Sequence, residues 1–194
     1  MMQYVIPVAQ QFVVLVIEVY MEYRNIEFDK IAKSEQQLQS LSFIGINYNK
    51  KIKKALTEEY KNPSIVDINM LKDLEDKYNL VLTEEYKNFL LETNGGVPSK
   101  SIFDLTKKKD VVIGHFFTLY SKVEMYTLEN NNNSLISFPM GYFSIGDTVN
   151  GDYILINLIL NDSDYGAIFI FFHEKDELKK VSNSFNEFLD KLHA

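Results

Sequence analysis

Three histidines, at 115, 173 and 193, and two pairs of aspartates are the residues of this chain with the widest chemical reach. No two of the histidines are spaced to set both imidazoles on one face of an element, so they form no histidine metal site. His115 stands in the apolar run His115-Phe116-Phe117, where a satisfied structural histidine is the expectation, and His173, beside Glu174, closes another apolar run at a turn. Asp147 and Asp152 flank Asn150-Gly151, a pair suited to the positive φ of a type I′ hairpin turn. Asp162 and Asp164, ahead of Gly166, lack the spacing and terminal Glu of an EF-hand, which leaves a solvated hairpin loop. No Gly-rich phosphate cradle and no Gly-x-Ser-x-Gly elbow occurs. With no Cys there is no disulfide framework and no thiolate site, as suits a reducing cytosol. These residues predict no catalytic set, no metal, no cofactor and a cytoplasmic location.

The elements that must position these groups follow from periodicity. Leu80, Leu82, Tyr86, Phe89 and Leu90 recur at helical spacing, and Thr83 with Glu84 and Glu85 supplies a capping hydroxyl and an acidic first turn. That predicts a helix over 83–93, closed by the positive φ available to Gly95 and Gly96 and kept from resuming by Pro98. A helix is predicted over 66–79 and another over 182–192. Strands are predicted at Ser101 to Leu105, Val111 to Tyr120, Tyr142 to Ile145, Tyr153 to Leu158 and Ala167 to Phe172. The Asn130 to Asn133 run reads as a flexible loop. Helices bracketing consecutive strands predict an α+β domain with a largely antiparallel sheet.

Residues 1–62 read as an N-terminal extension to a domain over 63–194. Tyr4 to Met21 is the most apolar stretch, but Pro7, Gln10, Gln11 and Glu18 interrupt it, and no Lys or Arg precedes it. It reads as a buried strand or buried helix and not as a membrane span or signal peptide. The heptapeptide Leu56 to Asn62, Leu-Thr-Glu-Glu-Tyr-Lys-Asn, recurs unchanged at Leu82 to Asn88. This reads as a local duplication of a helix-opening segment, its first copy a short helix stopped by Pro63.

The order of motifs from Ile65 onward resembles the SUKH superfamily, which joins fungal cell-wall synthesis regulators to bacterial toxin-immunity proteins. Leu71, Leu74, Glu75 and Tyr78 are similar to the family's first helix. Leu82, Tyr86, Phe89, Leu90, Asn94, Gly95 and Gly96 are similar to its second helix and Asn-Gly-Gly turn, with Thr83 where the family has proline. Ile145-Gly146-Asp147 and Asn150-Gly151-Asp152 match its Gly-Asp hairpin. Gly166 to Phe172 with His173-Glu174 matches its aromatic strand and turn, and Ser184, Phe185, Phe188 and Leu189 match its closing helix. The resemblance implies a single SUKH-like α+β domain and a non-enzymatic protein that binds a cognate toxin, commonly a nuclease. An intracellular regulatory scaffold is the alternative it implies, and a cation-dependent hydrolase using the Asp-rich loops is a third reading.

Charge adds to this. Residues 1–62 carry 8 Lys/Arg against 7 Asp/Glu, and the remaining residues carry 12 against 20. Such an acidic domain disfavours direct contact with nucleic acid and either complements a basic protein partner or serves only to keep the protein soluble. The partner-binding residues expected on these grounds are Asn94, Gly95, Gly96, Asp147, Asn150, Asp152, Asp162, Asp164 and Glu174, with no membrane contact.

Overall fold

The computed structural model describes residues 21–63, 65–133 and 138–194. The apolar stretch expected to be a buried strand or helix lies, but for Met21, outside the described residues.

Four capped helices follow one another. Ser34 opens α1 (Glu35–Phe43) with a reciprocal capping box to Gln37, and Asn49 caps α2 (Lys50–Lys61). Asp67 caps α3 (Ile68–Tyr78), and Thr83 caps α4 (Glu84–Thr93) as its sequence predicts. Both α3 and α4 end on an asparagine in the left-handed region, Asn79 at φ 50° and Asn94 at φ 55°. Closure of α4 thus falls to Asn94, one residue before the glycines expected to provide it.

Two antiparallel sheets complete the fold. A small one runs in the order β1 (Met21–Tyr23), β2 (Ile26–Asp29) and β3 (Val97–Pro98). The large one is a six-stranded meander: β4 (Ile102–Thr106), β5 (Lys109–Phe116), β6 (Tyr142–Thr148), β7 (Tyr153–Asn157), β8 (Ile168–Phe172) and β9 (Glu177–Ser182). Ser184 then caps α6 (Phe185–Asp190). All five strands expected from the sequence are present, with β5 stopping four residues early, at Phe116. Strands β1, β2, β3 and β9 are not among those predicted. β9 is polar, and its alternation is masked by Lys179 and Lys180.

The asparagine run is not a flexible loop. It forms a short helix, α5 (Leu128–Asn132), capped by Thr127. Asn132 explains the difference: its amide donates to the Leu128 and Ser144 carbonyls, and its Oδ1 accepts from the Ser144 N–H. The side-chain hydrogen bonding that makes asparagine a turn former is here spent on a strand.

β7 and β8 are apolar on both faces. Ile154, Ile156, Ile168, Ile170 and Phe172 join Leu71, Tyr86, Phe89, Leu90, Phe185 and Phe188 in the main core, while Leu155, Phe169 and Phe171 face the other way, against Phe138, Tyr142 and Tyr153. That alternation is the period-two geometry of a sheet covered on both sides. Ile26 and Phe28 of β2 also lie in the main core. A separate small core, Ile31, Leu38, Leu56 and Val123, seats α1 and α2 against the segment after β5.

The two identical heptapeptides take different local structures. In the second copy Thr83 caps a helix. In the first, Thr57 lies inside α2, its hydroxyl donating to the Lys53 and Lys54 carbonyls, and the segment closes a helix that Asn49 opened. The helix-opening expectation therefore holds for one copy only. Their second glutamates still act alike. Glu59, 7% exposed, accepts from the Ser121 hydroxyl and the Lys122 N–H, and Glu85 accepts from the Asn186 N–H at the start of α6. Each bridges its helix to a distant backbone turn. Glu59→Ala is expected to lower stability by about 2–3 kcal/mol, because a buried hydroxyl and a part-buried N–H lose a charged acceptor. Chemical denaturation would measure this, and amide exchange in α2 should accelerate with it.

Candidate partner-binding site

The Asn94 turn is built inward. Asn94 Oδ1 accepts from the N–H groups of Leu119 and Tyr120, and its amide donates to the Tyr120 carbonyl. Gly95 (φ 77°) and Gly96 (φ 125°) are buried, and Gly96 exchanges two backbone hydrogen bonds with Phe116. The role of these three residues in the structure is to clamp α4 against β5. Val97, the next residue, is the exposed part of the turn.

Asp147 and Asp152 flank the turn of the β6–β7 hairpin, and each clasps a histidine. Asp147 Oδ1 accepts from the His115 N–H at 3.1 Å and lies 2.8 Å from His115 Nδ1. Asp152 Oδ1 accepts from the His173 N–H at 3.2 Å and lies 3.0 Å from His173 Nδ1. A carboxylate accepts only, so each imidazole presents its Nδ1–H to its partner. The other ring nitrogen of His115, Nε2, is buried with no hydrogen-bond partner among the described residues. His115 is thus satisfied at one ring nitrogen and not at both.

Local sequence explains the hairpin. Thr148 holds it: its hydroxyl accepts from the N–H groups of Asn150 and Asp152, while Gly151 N–H bonds the Thr148 carbonyl. Only Gly151 has positive φ, at 82°, so the turn is not the type I′ expected from Asn150-Gly151, which needs positive φ at both central residues. The reason is loop length. Four residues separate the strands, and a longer loop places one left-handed glycine at its end. Asn150 remains exposed at the tip.

Glycines also make room for the Asp147 clasp. A Cβ on Gly114 would fall 2.5 Å from Asp147 Oδ1, and one on Gly146 would fall 2.6 Å from the His115 carbonyl. The Gly146-Asp147 dipeptide therefore lets β5 approach closely and then binds its backbone. Beyond Asp147 opens a cleft of about 350 Å³, lined by Ile31, Lys33, Tyr48, Val97, Tyr126 and Asp147 among others. Burial holds the Tyr126 hydroxyl well above the ordinary phenol range, helped by its hydrogen bond to Tyr48 and by the negative charge of Asp147.

The sheet places the expected acidic residues in two groups. Asp147 pairs with Tyr153, which pairs with Phe171, so the β6–β7 hairpin and the turn carrying His173 and exposed Glu174 share one end of the sheet. Asp162 and Asp164 lie in the β7–β8 connection at the other end, a strand length of roughly 17 Å away. There Asp162 accepts the Asp164 N–H, and Asp164 pairs with Lys180 at 2.6 Å. Among the described residues no cluster of His, Asp and Glu is arranged to hold a metal ion, and no helix is long and apolar enough to cross a membrane.

The sequence profile of the SMI1/KNR4 family (SUKH-1) matches residues 65–191, more than half of the chain. The chain belongs to this family. No curated protein matches it at a significant level. SUKH membership carries either a toxin-immunity or a regulatory role, in a family whose members are generally non-enzymatic. It also frames what the sequence reading missed at this end of the SUKH domain. Tyr48, Tyr126 and Gly114 carry no motif, since they come from three separate segments, Gly114 at the bulge in β5 between Ile113 and His115 and the two tyrosines beside the small core of α1 and α2.

Proposed function

We propose that this protein is an immunity protein, which neutralises a cognate bacterial toxin of the nuclease type by covering it, without chemistry of its own. Membership of the SUKH-1 family is the observation that carries this reading. The acid excess beyond residue 62 supports a basic partner, such as a face that binds nucleic acid. The rigid carboxylates at the Asp147 and Asp152 end support it further, because groups already held by backbone donors lose little freedom on binding. Asn150 and Glu174 extend that end to solvent, and Asp162 and Asp164 offer a second acidic loop.

Co-expression with the toxin encoded beside it is expected to rescue growth, and the two proteins are expected to co-purify. A chain with Asp147, Asp152, Asp162 and Asp164 all changed to Lys should bind at least about tenfold more weakly at low salt, a loss of about 1.4 kcal/mol. Unchanged affinity would remove the acidic loops from the interface. Absence of both rescue and complex would turn the assignment toward an intracellular regulatory scaffold.

A further inference from the structure

The cleft beside Asp147 has features that the clasp of His115 does not use. Asp147 spends Oδ1 on His115, yet Oδ2 makes no hydrogen bond to a described residue, and the side chain is 28% exposed. The cation on the lining, Lys33, is occupied: its ammonium pairs with Asp29 at 2.9 Å and donates to the Lys30 carbonyl. The Lys33 charge is thus met by Asp29, and Asp147 is the anionic side chain of the lining. Tyr48 and Tyr126 place two aromatic rings and two phenolic oxygens in the same space, and Ile31, Val97 and Val149 supply apolar wall. Half-buried carboxylate, aromatic faces and apolar wall are the elements that bind a flat, weakly hydrated cation.

We propose that this cleft receives one guanidinium side chain from a basic protein partner, with Asp147 Oδ2 accepting an N–H and the Tyr48 and Tyr126 rings flanking the cation. The volume suits a single side chain and falls at the small end of ligand cavities. The guanidinium fits better than an ammonium, because its plane can lie against a phenol ring while its edge meets the carboxylate. Residues before 63 build part of the seat, through Ile31, Lys33 and Tyr48, and the SUKH domain builds the rest. The arginine's source, though not the seat itself, rests on the immunity reading above.

The test has two arms. In the first, the full chain is titrated with N-acetyl-arginine-N-methylamide and its citrulline counterpart, which has the same shape without the charge, while the amides of Gly114, His115 and Val149 are followed by NMR. Saturable shifts at these amides with the arginine compound alone are expected. Asp147→Asn, which can still accept the His115 N–H, should weaken binding by at least about tenfold. Equal shifts with both compounds, or shifts confined to other regions, would overturn the proposal without reference to any variant. In the second arm the toxin complex is measured with Asp147→Asn and with Asp162→Asn. A loss of about tenfold in the first alone supports the seat, and equal affinity of the wild type and Asp147→Asn overturns it while leaving immunity intact. Arginine binding in the cleft with no toxin complex would keep the seat and reject the immunity reading.

Discussion

Replacing Phe89 with Ala is expected to cost about 3–5 kcal/mol of unfolding free energy, a large share of the roughly 5–15 kcal/mol by which a folded domain is stable. Phe89 is fully buried at the centre of an aromatic cluster, with ring centroids of Phe185 at 4.9 Å, Phe28 at 5.1 Å, Phe116 at 5.4 Å, Tyr23 at 5.6 Å and Tyr86 at 6.0 Å. Those five rings come from β1, β2, α4, β5 and α6, so the truncation leaves a cavity facing most of the fold. Five edge and stacked contacts also lose a partner, each worth more than its buried area alone. Urea denaturation measures the effect, and Leu91→Ala on the exposed side of the same helix sets the scale, with an expected change within about 0.5 kcal/mol. A loss under about 1 kcal/mol at Phe89 would mean that the cluster repacks freely and that this account of the core is wrong.

Gly95→Ala is expected to be nearly as damaging, at about 2–5 kcal/mol, from a different cause. Its φ of 77° is strained for any residue with a Cβ, and that Cβ would meet the Phe117 and Phe116 carbonyl oxygens at 2.6 and 2.7 Å. Both obstacles are backbone, held by ladder bonds on either side, so neither can swing away. Gly151→Ala separates the two causes. Its φ is 82°, but the added Cβ meets only His173 Cε1 at 3.7 Å, so the expected cost is the conformational one, about 1–2 kcal/mol. Equal thermal shifts for the two variants would show that the close approach of α4 to β5 contributes nothing beyond backbone preference.

Much of the fold is legible in the residues because its signals are local. Thr83 with two glutamates opens α4, Ser184 opens α6, and the alternation of β7 and β8 marks strands, since capping and period-two burial depend on neighbours in sequence. The small sheet is illegible for the opposite reason: β3 is two residues long and exists only because β2 arrives beside it. The same division runs through the site. Asp147, Asp152 and Glu174 can be chosen as carboxylates at or beside turns from sequence, but their separation from Asp162 and Asp164 by the length of a strand depends on sheet register.

The repeated heptapeptide shows where the boundary lies. Seven identical residues determine a helical segment in both places, with a buried leucine and a glutamate that reaches across to another turn. They do not determine whether the threonine opens the helix or sits inside it, because that depends on whether Asn49 or Thr83 is the first residue free to cap. Composition, local pattern and the resemblance in motif order pointed by themselves to an acidic α+β chain of the SUKH type, to the start of α4 and to the apolar strands. Tertiary structure alone decided that Gly114 and Gly146 open space for Asp147, that His115 occupies one of its oxygens, and that Tyr48 and Tyr126 line the same cleft. Contacts between segments dozens of residues apart leave no periodicity to read, and this is why the cleft appears only once the chain is folded.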